Sequence, residues 1–350
     1  MHLRAWVTLF LYVYHRDCAD ITETTTANKT RHVQTCRPVV SRQKNIIMPN
    51  KNMANHTILP IVAALLLALT SCGGKSHTVS ETTVVTDDYG RTVTVPSHPK
   101  RVISLSPANT EIIYALGADE HLIGRTDFCT YPPQAEAIPS VGGISNLNIE
   151  RIVSMNPDLV ISGSMVGKKA TEQLDKLGIP MVCIVEKPFF DALYDNISAI
   201  GQLLDKNHEA DSLNAQLRKQ VLALSDTADT NALPYSVYYV VGFGSTGNFT
   251  AGGNTFINDI IQMAGGHNIA ADVDGWSYSL EALIKEDPDF IVVRREDSAS
   301  FCSMKPYNTL NAVRQGHVIG IESGTLDLQV PRNIDAILHL RHRMSHTPLP

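Results

Sequence analysis

The chain has 350 residues, a formal net charge of −6, 18% charged residues and 43% hydrophobic residues. That length suffices for two lobes with separate cores, and an acidic balance without a basic stripe excludes a nucleic-acid-binding surface. After Cys72 no apolar run reaches the about 18 residues that a membrane span needs.

Residues 1–47 hold Cys18, Cys36 and a Thr-rich patch at Thr22, Thr24, Thr25 and Thr26, and do not read as an export signal. Translation is expected to begin at Met48 or Met53; a genuine extension, apolar over 6–14, is the alternative. The apolar run over 58–69 ends in Leu69-Thr70-Ser71-Cys72. Small residues before a lone cysteine read as a lipoprotein signal spanning 48–72, with Cys72 acylated as the first mature residue. A buried helix ending in Ser-Cys is the alternative. Gly73, Gly74, Lys75 and Ser76 follow at once, so 73–82 reads as a flexible tether. Cys129, Cys183 and Cys302 remain, without CxxC spacing, which argues against a zinc site and leaves one bridge open with its pair undetermined.

A hairpin is predicted over 83–95, turning at Asp87-Asp88-Tyr89-Gly90 between alternating Thr/Val runs. A strand over 101–105 runs into Ser106-Pro107, which opens a helix over 108–116 with Glu111 in its first turn. Strands over 122–124, 158–162 and 181–184 then alternate with helices over 149–155 and 168–177. The second half repeats the plan, with strands over 235–241, 290–293 and 318–321 and helices over 255–264, 280–285, 308–313 and 334–343. Alternation at this pace means parallel βαβ units and an α/β fold.

Residues 149–161 and 280–292 match each other: apolar, Glu150 or Glu281, further apolar residues, then Pro157-Asp158 or Pro288-Asp289 before a buried strand. Proline stops the helix and turns the chain into the strand. The two lobes, 83–206 and 231–346, are therefore built alike. Between them, 207–230 carries Leu213, Leu217, Val221 and Leu224 at helical spacing. It reads as either an ordinary surface helix or a rigid strut joining the lobes, and its position midway between the repeats favours the strut.

The stretch Arg101–Glu111, then Asp127 with Tyr131-Pro132-Pro133-Gln134-Ala135, Asn148-Ile149-Glu150-Arg151-Ile152 and Asn156-Pro157-Asp158-Leu159-Val160, resembles the helical-backbone substrate-binding proteins of bacterial ABC importers. The resemblance extends over residues 83–343. It implies the type III periplasmic binding protein fold: two similar lobes with central, mostly parallel sheets joined by a long rigid helix. It also implies a monomer that is not an enzyme and has no cofactor of its own. Its cargo would be a metal chelate (cobalamin, haem or a ferric siderophore), handed to a permease dimer and its ATPase. The expected location is the periplasmic side of a bacterial membrane, reached through the lipid anchor.

By the same resemblance Glu150 and Glu281 would pair with permease arginines. Ligand contacts would come from Asn109, Asp127, Phe128, Tyr131 and Ser164 in the first lobe. The second lobe would add Phe243, Phe249, Trp276, Tyr278, Arg294, Arg295, Asp327 and Arg332. Aromatic rings suit a macrocycle or catecholate, and arginines suit propionates or an anionic siderophore. Cobalamin-binding members carry first-lobe tryptophans where this chain has Ile144 and the Gly163-Ser164 region. With Arg294-Arg295 closing a buried strand, the expected ligand is an iron complex, a ferric siderophore or haem, with Tyr131 the nearest axial candidate. Cobalamin is the alternative, and an exported metal-chelate enzyme a distant one.

Two further patterns carry little. Gly242-Phe243-Gly244-Ser245-Thr246-Gly247 fits GxGxxG, but no helix opens directly after it as pyrophosphate binding demands, so the glycines are expected to admit a bulky ligand. His339, His342 and His346 have no nearby carboxylate or cysteine to complete a metal site, and read as a solvated helix end.

Overall fold

The structure, a computed structural model, describes residues 81–226 and 235–346. The expected N-terminal segment, the signal with Cys72 and most of the tether lie outside them. The Thr/Val runs pair as an antiparallel hairpin of β1 (Thr82–Thr86) and β2 (Thr92–Pro96). Asp87 closes its turn: the carboxylate accepts the backbone N–H groups of Tyr89 at 3.1 Å and Arg91 at 2.9 Å and pairs with the Arg91 guanidinium at 2.7 Å.

The first half runs β3 (Val102–Ser104), α1 (Pro107–Ala115), β4 (Leu122–Arg125) and the short ladder β5 (Gly142–Gly143) and β6 (Asn146–Leu147). It continues with α2 (Ile149–Ser154), β7 (Leu159–Ser162), α3 (Lys168–Lys176), β8 (Met181–Cys183) and α4 (Ala192–Leu203). After α5 (Asn207–Asp226) the second half runs β9 (Tyr235–Val240), α6 (Phe256–Met263), β10 (Gly266–Asn268), α7 (Leu280–Glu286) and β11 (Phe290–Arg294). It closes with α8 (Arg295–Ser303), α9 (Asn311–Arg314), β12 (Val318–Ile321) and α10 (Asn333–Ser345).

The two main sheets are parallel and share one topology. Their orders, β4-β3-β7-β8 and β10-β9-β11-β12, both place the second strand beside the first, then the third and fourth. Every residue of β7 and β11 is buried, as expected of parallel strands covered on both faces.

The pseudo-repeat holds in atomic detail. Asn148 caps α2 by accepting the Arg151 N–H at 2.9 Å, and Ser279 caps α7 by accepting the Ala282 N–H at 3.3 Å. Each helix then leaves through a left-handed residue before its proline, Asn156 at φ 46° and Asp287 at φ 44°. Asn and Asp tolerate that region better than most residues. The aspartates that follow tie each helix–strand turn to its sheet. Asp158 accepts the N–H groups of Lys100 and Arg101 at 2.8 and 3.0 Å, and Asp289 accepts both the N–H and the hydroxyl of Ser236 at 2.7 Å.

The long helix α5 has 20 residues, about 30 Å of rise. Leu217 and Leu224 are buried, and Leu213 and Val221 pack half-buried beside them, so the predicted apolar face is the inner one. It touches α4 from the first half and α6 and α10 from the second. One continuous apolar cluster runs through these helices and joins the halves. No helix among the described residues is long and apolar enough to cross a membrane.

The structure corrects several sequence expectations. Glu111 lies beyond the first turn of α1, is buried, and serves an ion pair rather than the helix dipole. The helix over 308–313 is a 3-10 turn, Tyr307–Thr309, followed by α9. Helices α4 and α8 and strand β10 went unread. Cys129, Cys183 and Cys302 are all free thiols, the first two buried.

Candidate functional site

A cleft of about 660 Å³ opens between the two halves. In the first half it is walled by Leu105, Ser106 and Pro107 after β3, by Ile144, by Gly163, Ser164 and Met165 after β7, and by Glu186, Lys187 and Pro188 after β8. In the second half Thr255 and Phe256 at the start of α6, Trp276, and Asp327 and Leu328 after β12 complete it. Most of these segments follow the carboxyl ends of parallel strands, where α/β folds present ligands. The two helices facing the cleft are capped alike: Ser106 accepts the Asn109 N–H at 3.3 Å and Thr255 accepts the Asn258 N–H at 3.4 Å. A side chain at Gly163 would press on Ser106 at 3.0 Å, so glycine lets these two loops meet.

Carboxylates face the cleft from both halves. Glu186 accepts the Ser164 hydroxyl at 3.3 Å, and burial pushes its carboxyl pKa up. Asp327 accepts the Tyr239 hydroxyl and lies near the Gly324 N–H at 3.4 Å. The cations around the cleft are committed. Lys187 sits 3.1 Å from Asp88 of the hairpin turn. Arg294 is buried and contacts Asp297 at 2.8 Å; burial opposes its charge, but Asp327, Tyr239 and Asp297 outweigh that and raise its pKa. Arg332 holds both oxygens of Glu111 at 2.8 Å across the seam between the halves, and its guanidinium lies 4.0 Å over the Tyr131 ring. Burial opposes the Arg332 charge as well, and Glu111 more than offsets it.

Of the thirteen residues expected to contact ligand, Ser164, Trp276 and Asp327 line the cleft. Tyr131 is exposed and tied to the seam through Arg332. The Asn109 side chain is buried and spends its amide on the carbonyls of Ser162 and Ile184 at 3.0 and 3.1 Å, holding the ends of β7 and β8. Asp127 is exposed and accepts the Ser140 hydroxyl, with Phe128 half-buried beside Gly143. Phe243 packs edge-on against Phe301 and Tyr307, and Tyr278 packs on Tyr238, so both belong to the second half's own side cluster. Phe249 packs half-buried against the main core, and Arg295 is an exposed residue at the start of α8.

The glycine-rich loop turns back on itself, Gly242 bridging to Phe249, and no helix follows directly. Cβ atoms at Gly244 and Gly247 would meet Met304 and Phe249 at 3.0 and 2.9 Å, so these glycines serve the packing of their own loop. Sequence reasoning missed Glu186, Lys187, Met165 and Phe256. Their signal was position: Met165, Glu186 and Lys187 follow buried parallel strands, and Phe256 opens a helix. Among the described residues no group of three His, Cys, Asp or Glu side chains is placed to hold a metal ion.

Two parallel βα halves, a joining helix and an open cleft between strand ends define a binding protein. Residues 102–325 match the family described as "Periplasmic binding protein", and the chain belongs to that family. It is 30% identical over 299 residues to an uncharacterized ABC transporter substrate-binding lipoprotein of Bacillus subtilis, covering 80% of this chain and 95% of that one. It is 29% identical over 277 residues to a cobalamin-binding protein of Halobacterium salinarum, covering 75% and 74%. The solved periplasmic heme-binding protein of a Roseiflexus species superposes with a TM-score of 0.63 at 28% identity, covering 70% of this chain and 98% of that one.

Proposed function

We propose that the chain is the substrate-binding component of an ABC importer and that its cleft takes a corrinoid of the cobalamin class. The charge of the cleft carries the choice of ligand. Arg294 and Arg332, expected to hold a chelate's anionic groups, are neutralised, Arg294 by Asp297 with Asp327 nearby and Arg332 by Glu111, while Glu186 and Asp327 lie on opposite walls of the cleft. Such a cleft disfavours haem propionates and anionic siderophores. The amide groups around a corrin ring are N–H donors that carboxylates accept, and Trp276 and Phe256 offer apolar aromatic surface to the macrocycle. The sequence-based lean toward an anionic iron complex rests on Arg294 and Arg295, neither of which is in the cleft lining, and Arg294 is internally paired as well. The cobalamin-binding relative supports the corrinoid reading.

In this reading the ligand is cargo, no cofactor is needed, and the protein works as a monomer. Cys72 carries the lipid that keeps it at the membrane, and Glu150 and Glu281, both exposed, meet basic residues of the permease dimer. The test is a titration of the full chain with cyanocobalamin, hemin and a ferric siderophore, following tryptophan emission against a W276F control. Saturable quenching by cyanocobalamin that W276F diminishes is expected; quenching by hemin or the siderophore alone overturns the corrinoid assignment. Haem is the second reading, favoured by Tyr131, an exposed phenol of the type that ligates haem iron. A haem absorption band altered by Y131F would select it.

A further inference from the structure

The pseudo-repeat carries an exposed feature that folding does not need. In α2, Glu150 is exposed, Ile152 is fully buried and Val153 is 42% exposed. In α7, Glu281 is exposed, Leu283 is fully buried and Ile284 is 37% exposed. The buried member of each triplet anchors its helix to the core of its own half. Val153 and Ile284 belong to none of the apolar clusters. Single exposed aliphatic residues need no explanation. Here, however, two β-branched ones occupy the same register of the repeat, each one helical turn from an exposed glutamate.

We propose that Val153 and Ile284 are a matched pair of aliphatic anchors for the permease dimer, each entering an apolar recess beside the basic group that meets Glu150 or Glu281. The proposal rests on the reading of the chain as an importer's binding protein. A two-fold dimer presents one patch twice. A single chain can satisfy both copies only by repeating its own contact, and the Glu, buried aliphatic, exposed aliphatic triplet is so repeated. Exposed ion pairs contribute little to affinity and act mainly on orientation and on-rate. Apolar side chains that become buried on docking supply the lasting contact. Self-association of this chain gives no reason for the triplet to occur in both halves.

The full chain carrying V153S and I284S tests this in a strain lacking the chromosomal copy. Cyanocobalamin affinity of the purified variant is expected to stay within about twofold of wild type, because neither residue touches the cleft. Uptake of labelled cyanocobalamin should fall about tenfold at limiting protein levels, with V153I/I284V transporting normally. Wild-type uptake by V153S/I284S overturns the anchors. A dimer of the purified wild-type chain that the double variant abolishes assigns the face to self-association and also overturns them. If the wild-type gene restores uptake of neither cyanocobalamin nor hemin, the importer reading falls, and the anchors with it.

Discussion

Arg332 joins three functions at one point: it pairs with Glu111 across the seam, lies over Tyr131, and starts α10 as its cap residue. Glu111 is buried and Arg332 is largely covered, so removing the guanidinium leaves a buried carboxylate without its counter-charge. Such losses cost about 3 kcal/mol or more. R332A should lower the melting temperature by about 6–12 °C, and a shift under about 2 °C would show that the pair does not bind the halves together. Glu186 makes the opposite kind of prediction. Burial raises its carboxyl pKa, so on acidification it takes a proton above the ordinary carboxylate range. The folded state then binds that proton more readily than the unfolded one. From this group alone the unliganded protein gains stability as pH falls through the raised pKa. The ligand loses a charged acceptor over the same interval, so affinity for cyanocobalamin should drop about fivefold between pH 7 and pH 5. E186Q should flatten that dependence, and an unchanged slope in E186Q would remove Glu186 from the contact.

At the scale of elements, α2 and α7 show how much a sequence can reveal. Their shared Glu and Pro-Asp pattern was legible because the proline and the sheet-tying aspartate occupy fixed positions in both copies. Reversing both charges in E150R/E281R should abolish uptake while leaving cyanocobalamin affinity within a few-fold. Weakened affinity would instead place these residues in the cleft. Other elements gave weaker signals or none. The apolar positions 193, 197, 200 and 203 of α4 have helical spacing, so a signal for this helix is present in the sequence. By contrast α8, Arg295–Ser303, buries only Phe301, and its polar composition conceals it. Strand β10 is an edge strand that opens on Gly266 and contains no β-branched residue.

For the whole molecule, parallel βα halves were predictable from alternation, but the cleft was only partly so. Arg332 and Glu111 lie 221 positions apart, and no local pattern shows that the two charges cancel. The same holds for Lys187 and Asp88, whose pairing depends on where the hairpin docks. The continuous core through α4, α5, α6 and α10 ties the halves along a helix, which favours small closure movements over wide hinge opening. A cleft of this kind selects ligands by surface charge more than by engulfing them. The measurement that addresses this most directly is equilibrium dialysis of the full chain against cyanocobalamin and its monocarboxylic acid, in which one peripheral amide is replaced by a carboxylate. The carboxylate-lined, arginine-neutralised cleft predicts at least about tenfold tighter binding of the amide form at neutral pH. Equal or tighter binding of the acid would contradict it and return the assignment to an anionic chelate.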